Sequence, residues 1–169
     1  MSTKFFNNGL GNTLFDKLKG IASEMATFDR FLAVVGFFRS SGYFKLRKEL
    51  GDISEIKILI GINIDDIFRK HNKALLMLAD EEKAKEIYHN GFKEDIVNAQ
   101  YSPEVEEGIL QMCEDLVSGR LQMRIHATKN LHAKFYLCLP QNHSENSDGW
   151  VIMGSSNISD SGLGIKQPP

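Results

Sequence analysis

The 169-residue chain has two cysteines, four prolines and one tryptophan, and no apolar run approaching a bilayer span. Each shortage narrows the field. Cys113 and Cys138 are too few for a disulfide framework and lack metal-ligand spacing. They read as buried free thiols in a reducing compartment. The longest nearly apolar stretch, Phe31 to Phe38, falls far short of the ~20 residues that cross hydrocarbon. Met1-Ser2-Thr3-Lys4 leads to Asn7-Asn8-Gly9, not to the apolar core of a secretory signal. His71 and His89 have neither H-x3-H nor H-E-x-x-H spacing, and Gly61 stands without the company of a dinucleotide fingerprint. No internal repeat or low-complexity tract is present. These features point to a soluble, cytoplasmic protein without a metal centre or cofactor.

Charge is nearly balanced, at a net −2, and by itself advertises no partner. Its distribution says more. Asp80 to Asp115 carries eleven acids and three lysines, whereas Leu116 to Ser144 carries no acid. The bases of that second segment are Arg120, Arg124, Lys129 and Lys134. An anionic substrate would be drawn there.

Thr13 precedes Leu14, Phe15, Leu18, Ile21, Ala22 and Met25 at helical spacing, with Asp16 three residues on. That predicts a capped helix over about 14–27. Phe31 to Phe38 predicts a central strand covered on both faces. A short helix over about 42–50 follows. Small residues at such a strand-to-helix junction present backbone N–H groups to anions. Arg39, Ser40 and Ser41 are therefore candidate phosphate contacts. Ile56 to Ile62 reads as the next strand, and strand-helix-strand implies a parallel crossover.

Helical composition runs from about 65 to 90, with another amphipathic piece near 93–100. Ser102-Pro103-Glu104 is a helix start, Gly119 a helix stop, and Val105, Ile109, Met112, Cys113 and Leu116 the apolar stripe between them. Leu121 to His126 alternates as a strand.

Leu131 to Leu137 also reads as a strand, which points His132 and Lys134 the same way. Pro140 to Gly149 is almost wholly turn-forming, and Trp150 to Met153 is a second apolar run. A hairpin of these two strands brings Gly154-Ser155-Ser156-Asn157 to the His132 end. An imidazole, an ammonium, a hydroxyl and an amide then meet. A phosphodiester is anionic and repels nucleophiles, so its cleavage needs positive charge on the phosphoryl oxygens, a nucleophile and a proton donor. This set contains each kind of group. Ser156 and His126 are further candidates to face a substrate. The element order α-β-α-β-α-α-β-β-β predicts an α/β fold, with a mixed, mostly parallel β-sheet sandwiched between α-helices, as one domain over 1–169. The chain stops without a closing element and reads as the N-terminal fragment of a longer protein.

H-x-K followed by G-S-x-N resembles the phospholipase D superfamily, whose full signature is H-x-K-x4-D-x6-G-S-x-N. More narrowly, LHAKFYL with GSSNISDSGL is similar to the phospholipase D-like nuclease domains of restriction endonucleases and bacterial helicases. The matching residues are His132, Lys134, Gly154, Ser155 and Asn157. Leu139 stands where the signature has Asp, and the hairpin is longer than in the compact signature. In the family that acid helps orient and balance the site; Glu145 and Asp148 are the hairpin's candidates to replace it.

The resemblance implies a phospholipase D-like fold and a phosphodiesterase that needs no metal or cofactor. His132 would attack phosphorus and form a phosphohistidine, while Lys134, Asn157 and Ser155 hold phosphoryl oxygens. One histidine cannot be nucleophile and general acid in the same step, and the chain has a single H-x-K. The resemblance therefore implies a homodimer, in which His132 of the second protomer protonates the leaving oxygen. It also implies DNA as substrate and a C-terminal helicase or ATPase domain in the full-length protein. The alternative is a catalytically degenerate dimerisation or DNA-binding module. A lipid phosphodiesterase is the third reading, disfavoured by the lack of a membrane segment or basic amphipathic helix.

Overall fold

Thr13 opens the first helix through a reciprocal cap. Its hydroxyl accepts the Asp16 N–H at 3.0 Å, and the Asp16 carboxylate accepts the Thr13 N–H at 2.9 Å. Two helix-end donors are thereby satisfied, worth about 1 kcal/mol. The same bonds hold the Asp16 carboxyl below the ordinary carboxylate range. The computed structural model describes residues 5–7, 9, 11–25, 28–61, 90, 102–126 and 131–165.

Helix α1 spans Leu14–Glu24, strand β1 Phe28–Val35, helix α2 Ser40–Leu50 and strand β2 Glu55–Gly61. Helix α3 (Pro103–Val117) starts at the expected Ser102 cap, whose hydroxyl accepts from the Val105 N–H. Strands β3 (Leu121–His126), β4 (Phe135–Pro140) and β5 (Trp150–Met153) follow. A short helix α4, Asp160–Leu163, was not anticipated. The helices expected near 65–90 and 93–100 lie outside the described residues.

The five strands form one mixed sheet in the order β3-β2-β1-β4-β5. β1, β2 and β3 are parallel; β4 runs antiparallel to β1, and β5 antiparallel to β4. β1 is central, as its apolar run implied. It is not equally covered on its two faces, because Phe31, Ala33 and Val35 are buried while Leu32 and Val34 are only half-buried. β2 repeats this with Ile56, Ile58 and Ile60, and β4 with Tyr136 and Cys138. The buried face joins Leu14, Leu18, Tyr43, Leu46, Met112 and Leu163 in a single core. The described helices thus cover that face, with α1 on α2, α2 on α3, and α4 against both α1 and α2.

Two expectations fail on α3 and α2. Cys113 is exposed, not buried. The residues α3 buries are Gly108, Met112 and Asp115, because α2 meets α3 partly through polar groups. The Asp115 carboxylate, 1% exposed, accepts from Arg47 Nε at 2.6 Å and also from Gln111, Arg120 and the Tyr43 hydroxyl. Burial alone would raise the Asp115 pKa, but the Arg47 hydrogen bond and charge outweigh it and hold the carboxyl low. α2 also begins two residues before the expected start, with Ser40 already inside the first turn. Cys138 is buried as expected, and burial pushes its thiol up to about 12.

This topology sets one edge apart. The carboxyl ends of three parallel strands, the amino end of β4 and the carboxyl end of β5 all meet there. Crevices beyond the carboxyl ends of strands are where open α/β sheets receive ligands.

Candidate functional site

Residues 131–134 cross this edge before the chain enters β4. They are not part of the strand, contrary to the expectation for Leu131 to Leu137. The Leu131 carbonyl lies against Gly61 at the end of β2, so close that no Cβ fits there. Farther along, the segment passes Gly36, where β1 has just ended. A Cβ on Gly36 would lie 3.1 Å from Lys134 Nζ, 3.4 Å from the Leu131 carbonyl oxygen and 3.6 Å from Asn157 Oδ1. Two groups from residues 131–134 and one from Asn157 converge over one glycine, which gives them room by having no side chain.

His132 is exposed at this edge, whereas Lys134 is only 6% exposed. The lysine folds back on its neighbour. Its Nζ donates to the His132 carbonyl oxygen at 2.8 Å and lies 2.9 Å from His132 Nδ1. Among the described residues no carboxylate pairs with Lys134 or touches His132. Burial without a compensating anion lowers the Lys134 pKa from the ordinary lysine value.

Asn157 arrives from the other side. β5 lies two strands from β1, so the chain must cross the end of β4 to bring the amide home. Backbone and side-chain bonds guide it: the Gly154 N–H donates to the Lys134 carbonyl at 3.2 Å, and the Tyr136 hydroxyl donates to the Ser156 carbonyl at 2.6 Å. The Arg39 N–H then bonds the Ile158 carbonyl at 2.8 Å, and Phe38 and Ile158 form a parallel bridge. Asn157 Oδ1 accepts the Phe37 N–H at 3.0 Å. That bond fixes which end of the amide is oxygen and turns the two Nδ2 protons the other way.

The expected hairpin of β4 and β5 forms; Lys134 and Asn157 meet at Gly36, and His132 Nδ1 lies against Lys134 Nζ. Ser155 is exposed beside them, whereas Ser156 is nearly buried with its carbonyl engaged by Tyr136. Arg39 lies at the start of α2 with its guanidinium 4.2 Å from the centroid of the Phe37 ring. Ser41 is exposed there, but Ser40 is buried. His126 ends β3 in register with Gly61, at the same edge but beyond β2 from the Gly36 cluster. Among the described residues its Nδ1 is buried without a hydrogen-bond partner.

Sequence reasoning missed Gly36, Gly61 and the Phe37 amide. The signal was available for the glycines, since a glycine interrupting an apolar strand marks close backbone approach.

Position 139 is far from this cluster. Leu139 is five residues along from Lys134, roughly 16 Å at strand rise, pairs in register with Arg30 and packs near Gly149. Glu145 and Asp148 lie in the hairpin at that same far end and do not replace an acid at His132. Asp148 instead lines a cavity of about 800 Å³ with Glu24, Asp29 and Trp150.

Chemically, the edge offers a buried cation, an amide whose Nδ2 has no partner among the described residues, and an exposed imidazole. Such a set binds an oxyanion and presents a nitrogen to it. Among the described residues no group of three or more His, Cys, Asp or Glu is placed to hold a metal ion. No described helix is long and apolar enough to cross a membrane. Comparison of the chain with known protein families and with curated proteins finds no match in either.

Proposed function

We propose that this chain is a phosphodiesterase domain of phospholipase D type that cleaves DNA through a phosphohistidine on His132. The observation that carries the reading is Lys134. A nearly buried ammonium beside an exposed imidazole, with no described carboxylate to neutralise it, is costly unless an anion completes it. A phosphodiester is such an anion. Lys134 meets one phosphoryl oxygen as a point charge, Asn157 Nδ2 donates to the oxygens and His132 attacks phosphorus. The leaving oxygen takes its proton from His132 of a second copy, and water then hydrolyses the phosphohistidine. The acid-free stretch from Leu116 to Ser144 supports a polyanionic substrate. In this reading the domain acts as a homodimer within a larger cytoplasmic restriction or helicase protein.

A second reading keeps the anion site without the chemistry. It is favoured by one observation: among the described residues nothing but Lys134 bonds the His132 ring. The domain would then position DNA for another active site.

Cleavage of plasmid and single-stranded DNA in excess EDTA separates the two, with His132→Ala as the comparison. Activity that vanishes in the variant supports the phosphodiesterase. Activity that survives it contradicts the site, and DNA binding without cleavage in either protein favours the positioning module.

A further inference from the structure

The resting contact between Lys134 and His132 has the wrong polarity for attack. A neutral imidazole carries one ring proton, and a nitrogen that accepts a hydrogen bond leaves that proton on the other. Lys134 Nζ is 2.8 Å from the His132 carbonyl oxygen and 2.9 Å from its Nδ1. The carbonyl only accepts, so the lysine donates there. An ammonium has further protons and no lone pair, so it donates to Nδ1 as well. The ring proton then sits on Nε2. In that form Nε2 has no in-plane lone pair with which to attack phosphorus.

We propose that Lys134 locks His132 in the Nε2–H form while the site is empty, and that a phosphoryl oxygen releases the lock by drawing the ammonium to itself. The proposal rests on the phosphodiesterase reading above and adds the step that arms the nucleophile. The competition favours the phosphate. Imidazole and carbonyl are neutral acceptors, whereas a phosphoryl oxygen is charged, and a pair charged on both sides is the stronger one. Burial strengthens that attraction further. Among the described residues no carboxylate competes for Lys134, and Gly36, having no side chain, leaves open the space that a Cβ would take 3.1 Å from Nζ.

The proton balance closes with water as the carrier. When Lys134 leaves Nδ1, the Nε2 proton passes to water and water returns one to Nδ1. The N–H bond at Nε2 breaks, one at Nδ1 forms, and the ring stays neutral. The Nε2 lone pair can then form the nitrogen–phosphorus bond as the phosphorus–oxygen bond to the leaving group breaks. Lys134 is thus both an oxyanion ligand and the positioning residue that sets the tautomer of its neighbour.

Long-range proton–nitrogen correlation spectra of the full chain, labelled with nitrogen-15 histidine, read this directly. At about pH 8 a histidine is ordinarily neutral, and the His132 signals are those lost in His132→Gln. The lock predicts a protonated Nε2 and an unprotonated Nδ1 in the free protein. Saturation with inorganic phosphate should release Nδ1 and bring both tautomers into the spectrum, the two shifts moving toward each other. Lys134→Met should show a mixture of tautomers that phosphate does not move. A protonated Nδ1 in the free protein overturns the proposal, and so does a pattern that phosphate leaves unchanged. Cleavage in EDTA keeps the two ideas apart. His132-dependent cleavage with an unswitched ring sinks the lock alone, whereas a switched ring without cleavage keeps the lock and sinks the nuclease reading.

Discussion

The side-chain oxygen of Asn157 accepts the backbone N–H of Phe37 at 3.0 Å, across 120 residues of sequence. This bond ties the loop after β5 to the end of β1 and aims the remaining amide protons. Asn157→Asp keeps the acceptor but removes the donors and sets a negative charge near Lys134. The variant should fold, because the Phe37 N–H stays satisfied. Single-turnover DNA cleavage should fall roughly 100-fold or more, the scale of one lost oxyanion donor. Cleavage at the parental rate would show that Asn157 only braces the backbone.

Gly36→Ala puts a methyl group 3.1 Å from Lys134 Nζ. The flexible lysine yields more easily than the backbone does, so the fold should tolerate the change to within ~1 kcal/mol, judged by urea unfolding. Phosphate affinity should drop about tenfold, which corresponds to ~1.4 kcal/mol. Unaltered affinity would mean that the ammonium does not need its observed place.

Leu139→Asp introduces the acid that the H-x-K signature carries at this position and should not raise activity. The position faces Arg30 at the far end of β4, not His132. Introducing a carboxyl in place of a half-buried leucine should instead cost roughly 1–3 kcal/mol. Paired kinetic and unfolding measurements would check this, and a gain in cleavage rate would show that the acid acts over a distance the geometry does not provide.

Asp115 gives a pH test away from the site. Its side chain is 1% exposed and bonded to Arg47. Burial opposes ionisation, but Arg47 prevails and the folded pKa is depressed. A depressed carboxyl stabilises the fold above its unfolded value of about 4, and that contribution is lost as pH falls through the folded value. Asp115→Asn leaves Arg47 buried without its anion and should cost roughly 3–5 kcal/mol at neutral pH. In urea titrations the gap to the parent should narrow in acid. A gap that stays constant with pH would show that Asp115 is not the charged partner.

Local features were the most legible. The Thr13–Asp16 cap, the Ser102-Pro103 helix start and the β4–β5 hairpin follow from neighbouring residues, and the structure contains each. The convergence of His132, Lys134 and Asn157 was legible too, because a hairpin needs only one register. The burial difference within that set was not. A strand reading places His132 and Lys134 on one face, but residues 131–134 are irregular, and Lys134 turns in toward Gly36 while His132 stays exposed. The Phe37 amide was equally hidden, since it depends on how β1, β4 and β5 stack along one edge. On α3 the apolar stripe misjudged Cys113 because Phe44 closes on Gly108 and Arg47 on Asp115, and an apolar pattern does not report a polar seam.

The central claim is that His132 takes the phosphoryl group. Mixing the protein with a radiolabelled DNA in excess EDTA and quenching in alkali, where a phosphohistidine survives, tests it most directly. The account predicts label retained on the parental chain, mapped to the peptide carrying His132, and none on His132→Ala. Cleaved DNA with no label on the protein at any quench time would contradict it.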